Sequence, residues 1–185
     1  MLYSTSSHKA GGSGFFFEDD KNAPSDAVFV SSADVTTAIN LSAGATYNFD
    51  AAGKLSVINP TSSDLIARAK ALQADKVQAA CAAAIVAGFT SSALGAERTY
   101  GSKLSDQNDL LNAALASQGQ ISTWTAFLWC AEDGTWTYSA HTAAQVQQVN
   151  ADWLAYRQAH QKKYADLIAQ ISQAPTVDDV EKIVW

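Results

Sequence analysis

Thr123 to Tyr138 reads TWTAFLWCAEDGTWTY. β-Branched and aromatic residues crowd both sides of Asp133-Gly134. That dipeptide readily supplies the left-handed backbone conformations of a two-residue hairpin turn. The stretch is therefore expected to be a β-hairpin carrying Trp124, Trp129 and Trp136. Large aromatic side chains in such a hairpin usually fill a core, although they also anchor interfaces. Core is the favoured reading for them, and for Cys130 between Trp129 and Ala131.

Downstream, Thr142-Ala-Ala-Gln145 has the form of a capping box, in which a hydroxyl and an amide satisfy free N–H groups at a helix start. Val146, Val149, Trp153, Tyr156, His160, Tyr164, Leu167 and Ile171 then recur in steps of three and four. That spacing predicts a long helix with one apolar seam. Pro175 ends it, since proline cannot continue the hydrogen-bond ladder. Thr176-Val-Asp-Asp179 opens a last short helix before Ile183-Val184-Trp185.

Upstream, Asp106 is expected to cap a short helix carrying Leu110, Leu111, Ala114 and Leu115. Residues 89–104 predict a strand or two with turns. Residues 61–87 predict one long Ala-rich helix, capped by Thr61 with Asp64 and ended by Gly88. Its apolar stripe reads Leu65, Ala69, Leu72, Val77, Ala80 and Ala84, small enough to let another helix approach. This helix is expected to lie antiparallel to the Thr142–Ala174 helix, with the hairpin capping one side.

Residues 1–60 read as a β-rich unit. Phe15-Phe16-Phe17 and Val28-Phe29-Val30 suggest short strands, and the first follows a flexible Ala10-Gly-Gly-Ser-Gly14 stretch. Ser31 with Asp34 starts a short helix bearing Val35, Ala38 and Ile39. Tyr47-Asn-Phe49 and Leu55-Ser-Val57-Ile58 flank a Gly-containing loop, and Pro60 closes the unit. The predicted class is α+β, with domains at 1–60 and 61–185.

Composition excludes several functions. Of 185 residues, 48% are hydrophobic, and 35 of these are Ala. Enough larger apolar residues remain to build a core, so wholesale disorder is excluded. Net charge is −6 and pI about 4.8, against a surface for nucleic acid, which concentrates Lys and Arg. No stretch approaches the ~18 apolar residues of a membrane span. The N-terminal MLYSTSSHKAGGSGFFF lacks the apolar centre of a signal peptide. Cys81 and Cys130 are too few for a disulfide scaffold or a four-ligand zinc site, and read as buried thiols in a reducing compartment.

Catalytic chemistry is not visible. His8, His141 and His160 share no metal-ligand spacing and read as hydrogen-bonded or interface histidines. Gly11-Gly-Ser-Gly14 lacks the Gly-Lys-Ser/Thr ending of a phosphate loop and precedes a strand. Glu18-Asp19-Asp20 lacks the spaced ligands of a calcium loop. Asp178-Asp179 sits in a first helical turn, where carboxylates favour the positive end of the dipole. The expectation is no enzyme, no catalytic residue, no metal and no cofactor. A small hydrolase is disfavoured for want of a nucleophile paired with a base. Binding another protein is the default.

Two regions carry a resemblance. Leu2-Tyr3-Ser4, Gly14-Phe15-Phe16, the segment from Pro24 through Asp26-Ala27-Val28 to Ser31, Asp50-Ala-Ala-Gly53-Lys54-Leu55 and Asn59-Pro60-Thr61 occur in this order. The series resembles the N-terminal module of bacteriophage tail-fibre assembly proteins, from which the Ala10–Gly14 stretch departs as an insertion. Gly88-Phe89-Thr-Ser91-Ser-Ala-Leu94-Gly95, Tyr100 and Asp106-Gln107-Asn108-Asp109-Leu110 follow. With His141-Thr142-Ala-Ala-Gln145 and the closing Thr176-Val177 to Trp185, they are similar to a domain of unknown function often found in phage tail-fibre proteins.

The resemblance implies a chaperone that binds the C-terminal region of a trimeric tail fibre and helps it fold, with no nucleic-acid or membrane partner. It implies action in the host bacterial cytoplasm during assembly, or retention on the virion tail fibre. The alternative it leaves is a virion structural protein at the fibre tip that contributes to host receptor binding. Candidate partner-binding residues are Phe15, Phe17, Phe29, Trp124 and Trp136. The long helical pair leaves a homo-oligomer open.

Overall fold

The apolar pairs of the first sixty residues are short, and so are the strands they form. β1 (Leu2–Tyr3) lies between β2 (Phe15–Phe16) and β3 (Val28–Phe29), antiparallel to both. The computed structural model describes residues 1–9 and 14–185. The loop expected at Ala10–Gly14 therefore lies, apart from Gly14, outside the described residues. Contacts divide the chain into two units, Met1–Ala67 and Arg68–Trp185.

In the first unit, α1 (Thr5–Lys9) carries no apolar pattern that announces it. Asp26 holds it. Its carboxylate accepts from Ser4 Oγ at 2.7 Å, Ser6 N at 2.8 Å and Ser6 Oγ at 2.9 Å. The Ser4 hydroxyl and the Ser6 amide keep that carboxyl below its ordinary range. α2 (Ser32–Ile39) begins where expected: Ser31 Oγ accepts from Asp34 N at 3.1 Å. β4 (Thr46–Phe49) and β5 (Leu55–Ile58) form the expected hairpin. In its loop Asp50 accepts from Ala52 N and Lys54 N at 2.9 and 3.0 Å. The core is aromatic. Tyr3, Val30, Ala38 and Phe49 are buried, with Phe15, Tyr47 and Leu55 packed around them. The Tyr3 ring lies 4.7 Å from Phe49 and 5.3 Å from Phe15.

α3 (Ser62–Ile85) begins in the first unit and runs into the second. Asp64 accepts from Thr61 N at 2.9 Å and Thr61 Oγ1 at 2.7 Å, closing its N-terminus. Its buried face is Gln73, Val77 and Cys81, with Ala69, Ala80 and Ala84 half-buried beside them. Leu65 and Leu72 are exposed, which corrects the expected stripe. The face is set by Gln73, whose amide donates to the Ile183 carbonyl, so Leu72, one residue or about 100° away, points off it.

The second unit continues with β6 (Phe89–Ser91), β7 (Arg98–Tyr100), α4 (Leu104–Ala116), β8 (Thr125–Glu132), β9 (Thr135–Thr142), α5 (Ala143–Gln173) and α6 (Val177–Glu181). The strands make one antiparallel sheet in the order β6-β7-β8-β9. α4 begins before Asp106. Lys103 is the cap residue, and Asp106 reaches back from the third helical position to accept from Lys103 N at 2.9 Å. Leu110 and Ala114 are buried, whereas Leu111 and Leu115 are exposed.

α5 opens on the expected box. Gln145 N donates to Thr142 Oγ1 at 3.3 Å, and Thr142 N donates to Gln145 Oε1 at 2.8 Å. Val146, Val149, Trp153 and Ile171 are buried along its seam, with Tyr156, His160, Tyr164 and Leu167 half-buried between them. α3 and α5 are antiparallel. Lys70 Nζ donates to the Ser172 carbonyl at 2.7 Å, Cys81 Sγ to that of His160 at 3.7 Å, and Tyr156 OH to that of Ala84 at 2.8 Å. As positions rise along α3, their partners fall along α5. The core joins Phe89, Tyr100, Leu110, Leu128, Cys130, Val149 and Trp153. Among the described residues, no helix is long and apolar enough to cross a membrane.

Candidate functional site

Side chains alternate across a strand, so the hairpin has two chemically different faces. Leu128, Cys130 and His141 lie on the face packed with α5 and are buried. Phe127 and Trp129 from β8, with Trp136 and Tyr138 from β9, lie on the other. Each of these four is between 49% and 60% exposed. Register makes them neighbours: Trp129 stands opposite Tyr138 and Ala131 opposite Trp136. The Tyr138 ring is 5.2 Å from Trp129 and 5.3 Å from Phe127. Cross-strand aromatic pairs stabilise a sheet by roughly 0.2–1 kcal/mol. A contiguous exposed aromatic patch marks a surface that meets something else.

A groove of about 790 Å³ adjoins this face. It exists because β7 is short. The β7–β8 ladder stops at Tyr100 opposite Cys130, and the chain turns through Gly101 into α4. The aromatic half of β8 is left facing α4. Phe127, Trp129 and Trp136 line the groove with Thr99, Asp109 and Asn112. Its volume suits a drug-sized ligand or a short peptide segment.

The structure corrects the expectation that these tryptophans are core. Trp129 and Trp136 are exposed because α5 covers the opposite face, where the small Cys130 sits fully buried as expected. Trp124 is half-buried against the core cluster. Of the other candidate partner residues, Phe17 and Phe29 are 73% and 62% exposed on the first unit. Phe15 is half-buried against Tyr3, Tyr47 and Phe49. Phe127 and Tyr138 were not singled out by sequence. Period-two alternation carries the signal for them, but it does not say which face a helix will cover.

His141 is a fully buried titratable group of this unit. Its Nε2 lies 2.9 Å from Tyr100 OH, and its Nδ1 lies 2.9 Å from the Ser139 carbonyl. A neutral ring satisfies both contacts, donating from Nδ1 to the carbonyl and accepting at Nε2 from the phenol. Burial pushes the imidazole below its ordinary value of 6.5, partly offset by the Ser139 carbonyl. Burial raises the Tyr100 phenol. The pair is a buried contact whose polar atoms satisfy one another. It makes a prediction. The unfolded chain takes up a proton below about pH 6.5 that the folded ring refuses, so this contribution to stability is full above that pH and is lost below it. Denaturant midpoints between pH 7.5 and 5 should fall, and His141→Gln should flatten that slope.

Among the described residues, no three His, Cys, Asp or Glu side chains stand together as a metal site. Cys81 and Cys130 are free and buried. Residues 68–184 match a family described as a domain of unknown function, DUF4376. The match spans more than half of the chain, and the chain belongs to this family. Neither a curated protein nor a solved structure shows significant similarity to it.

Proposed function

We propose that the chain assists assembly of a bacteriophage tail fibre by binding the C-terminal region of the trimeric fibre while it folds. The observation that carries this reading is the uncharged, exposed face of Phe127, Trp129, Trp136 and Tyr138. The tail-fibre resemblance of the opening segments and the exposed Phe17 and Phe29 support it. An intertwined fibre tip is rich in non-local contacts, folds slowly, and exposes apolar strands meanwhile. An aromatic surface that covers those strands suppresses their aggregation. On this reading the protein works in the host bacterial cytoplasm, makes and breaks no bond, and needs no cofactor.

Co-expression with the fibre encoded beside it tests the reading. The expected result is soluble trimeric fibre with the wild-type chain. With Trp129→Ala/Trp136→Ala, soluble trimer should fall at least about tenfold, as when a central aromatic anchor is removed from an interface. Fibre that is equally insoluble with and without the wild-type chain would overturn it. A second reading is retention at the fibre tip, where the face contributes to binding a host saccharide. The groove favours it, because Trp136, Asp109 and Asn112 all line it, a stacking ring and hydrogen-bonding groups in one cavity. Mass spectrometry of purified particles separates the two: a chain absent from particles is not a tip component.

A further inference from the structure

β9 is the outermost strand of its sheet, laddered with β8 on one side. The turn determines which of its backbone groups that ladder uses. Asp133 and Gly134 both have positive φ, 47° and 80°, so Glu132 and Thr135 form the hydrogen-bonded pair that closes the hairpin. Thr137, Ser139 and His141 follow at alternate positions and direct their N–H and C=O groups to β8. Trp136, Tyr138 and Ala140 direct theirs outward. Among the described residues, no strand pairs with them there.

Such an edge is a template for another strand. Proteins guard edges with lysine, proline, bulges or a covering element. Thr135 to Ala140 reads TWTYSA, without charge or proline, and its register with β8 runs unbroken from Thr125–Thr142 to Glu132–Thr135. Trp136, Tyr138 and Ala140 are exposed. The opposite edge, β6, is three residues long, with Phe89 and Ser91 buried.

We infer that β9 pairs with β9 of a second copy of this chain, antiparallel about a two-fold axis through Tyr138. Two-fold pairing sets a strand against its own reverse, which places special demands on its sequence. A charge on the axis would face its own copy, and like charges opposite each other repel. This strand has none. The axis through Tyr138 sets Trp136 against Ala140 twice over and pairs the two Tyr138 rings, an aromatic cross-strand contact of the kind that stabilises a sheet. The outward N–H and C=O groups at all three positions are then satisfied. The two aromatic faces join into one surface across an unbroken sheet. The inference concerns the chain's own association and stands independently of the fibre.

The test is the mass of the purified full chain by sedimentation equilibrium at micromolar concentrations. The wild-type is expected at twice 19.6 kDa. Ala140→Pro removes an outward N–H that the β8 ladder does not use, a position where an edge strand tolerates proline. It should give a monomer with an unchanged circular dichroism spectrum. Ala140→Lys, an edge guard, should do the same without touching the backbone. Trp129→Ala, on the same face but off the edge, should stay dimeric. A wild-type chain that is monomeric throughout overturns the inference. So does a dimer that survives both Ala140 variants, or one that only Trp129→Ala dissolves, which would mean the aromatic faces stack.

Discussion

Replacing Trp153 by Ala should cost the second unit about 3–5 kcal/mol, the range for emptying a large aromatic site in a core. The indole is buried on α5, its ring 5.3 Å from Phe89 and 6.1 Å from Tyr156. It joins the sheet, through Phe89, to the helical seam. The neighbours cannot collapse into the gap without shifting β6, whose Ser91 Oγ is bonded to Asp152 of the same helix. A domain's whole stability is on the order of 5–15 kcal/mol, so a large share of the margin disappears. Urea unfolding followed by circular dichroism should show the midpoint fall with little change in slope. Trp153→Phe should lose much less. A loss under about 1 kcal/mol for the Ala variant would mean that the indole is not part of the core described above.

The second large effect is expected at Gly53. Its φ is +76°, a region where a side chain costs roughly 1–2 kcal/mol. A Cβ there would also fall on the Phe29 carbonyl oxygen, which is backbone and cannot swing aside. The loop has little freedom to yield. Gly53 N donates to the Asp50 carbonyl at 2.9 Å, and Asp50 N to that of Lys54 at 3.1 Å. Gly53→Ala should therefore destabilise the first unit by more than about 2 kcal/mol, and a unit this small has little to lose. Gly134→Ala is the control. It too has positive φ, 80°, but nothing lies within 4 Å of its Cβ, so strain alone remains. Thermal unfolding should rank Gly53→Ala well below Gly134→Ala. Equal effects would show that the Phe29 backbone does not press on the loop.

Much of this architecture was legible in the residues. α5 was, because Val146 to Ile171 hold one spacing for seven turns and Thr142-Ala-Ala-Gln145 marks the start. The β8–β9 hairpin was, because Asp133-Gly134 has few other uses between aromatic runs. What the hairpin hides is its orientation. Trp129 and Cys130 are adjacent and face opposite ways, and hydrophobicity alone assigns the larger one inward. α5 in fact covers the face with the smaller side chains, so the exposed site was read as core. The α3 stripe erred at Leu72 for a related reason. A polar residue, Gln73, is buried because the Ile183 carbonyl, 110 residues away, accepts from it. Leu72 was chosen on apolarity and lies off the face. α1 depends on the Asp26 carboxylate, again a partner distant in sequence.

The buried thiols turn this molecule into its own clock. Cys81 faces the helical seam and Cys130 lies on the covered face of β8, and both are buried while the second unit is closed. A thiol reagent can therefore react only when one or the other neighbourhood opens. The order in which the two sulfurs become modified reports whether the helices part first or the sheet lifts first. That order tells which half of the unit gives way when it meets a partner or begins to unfold.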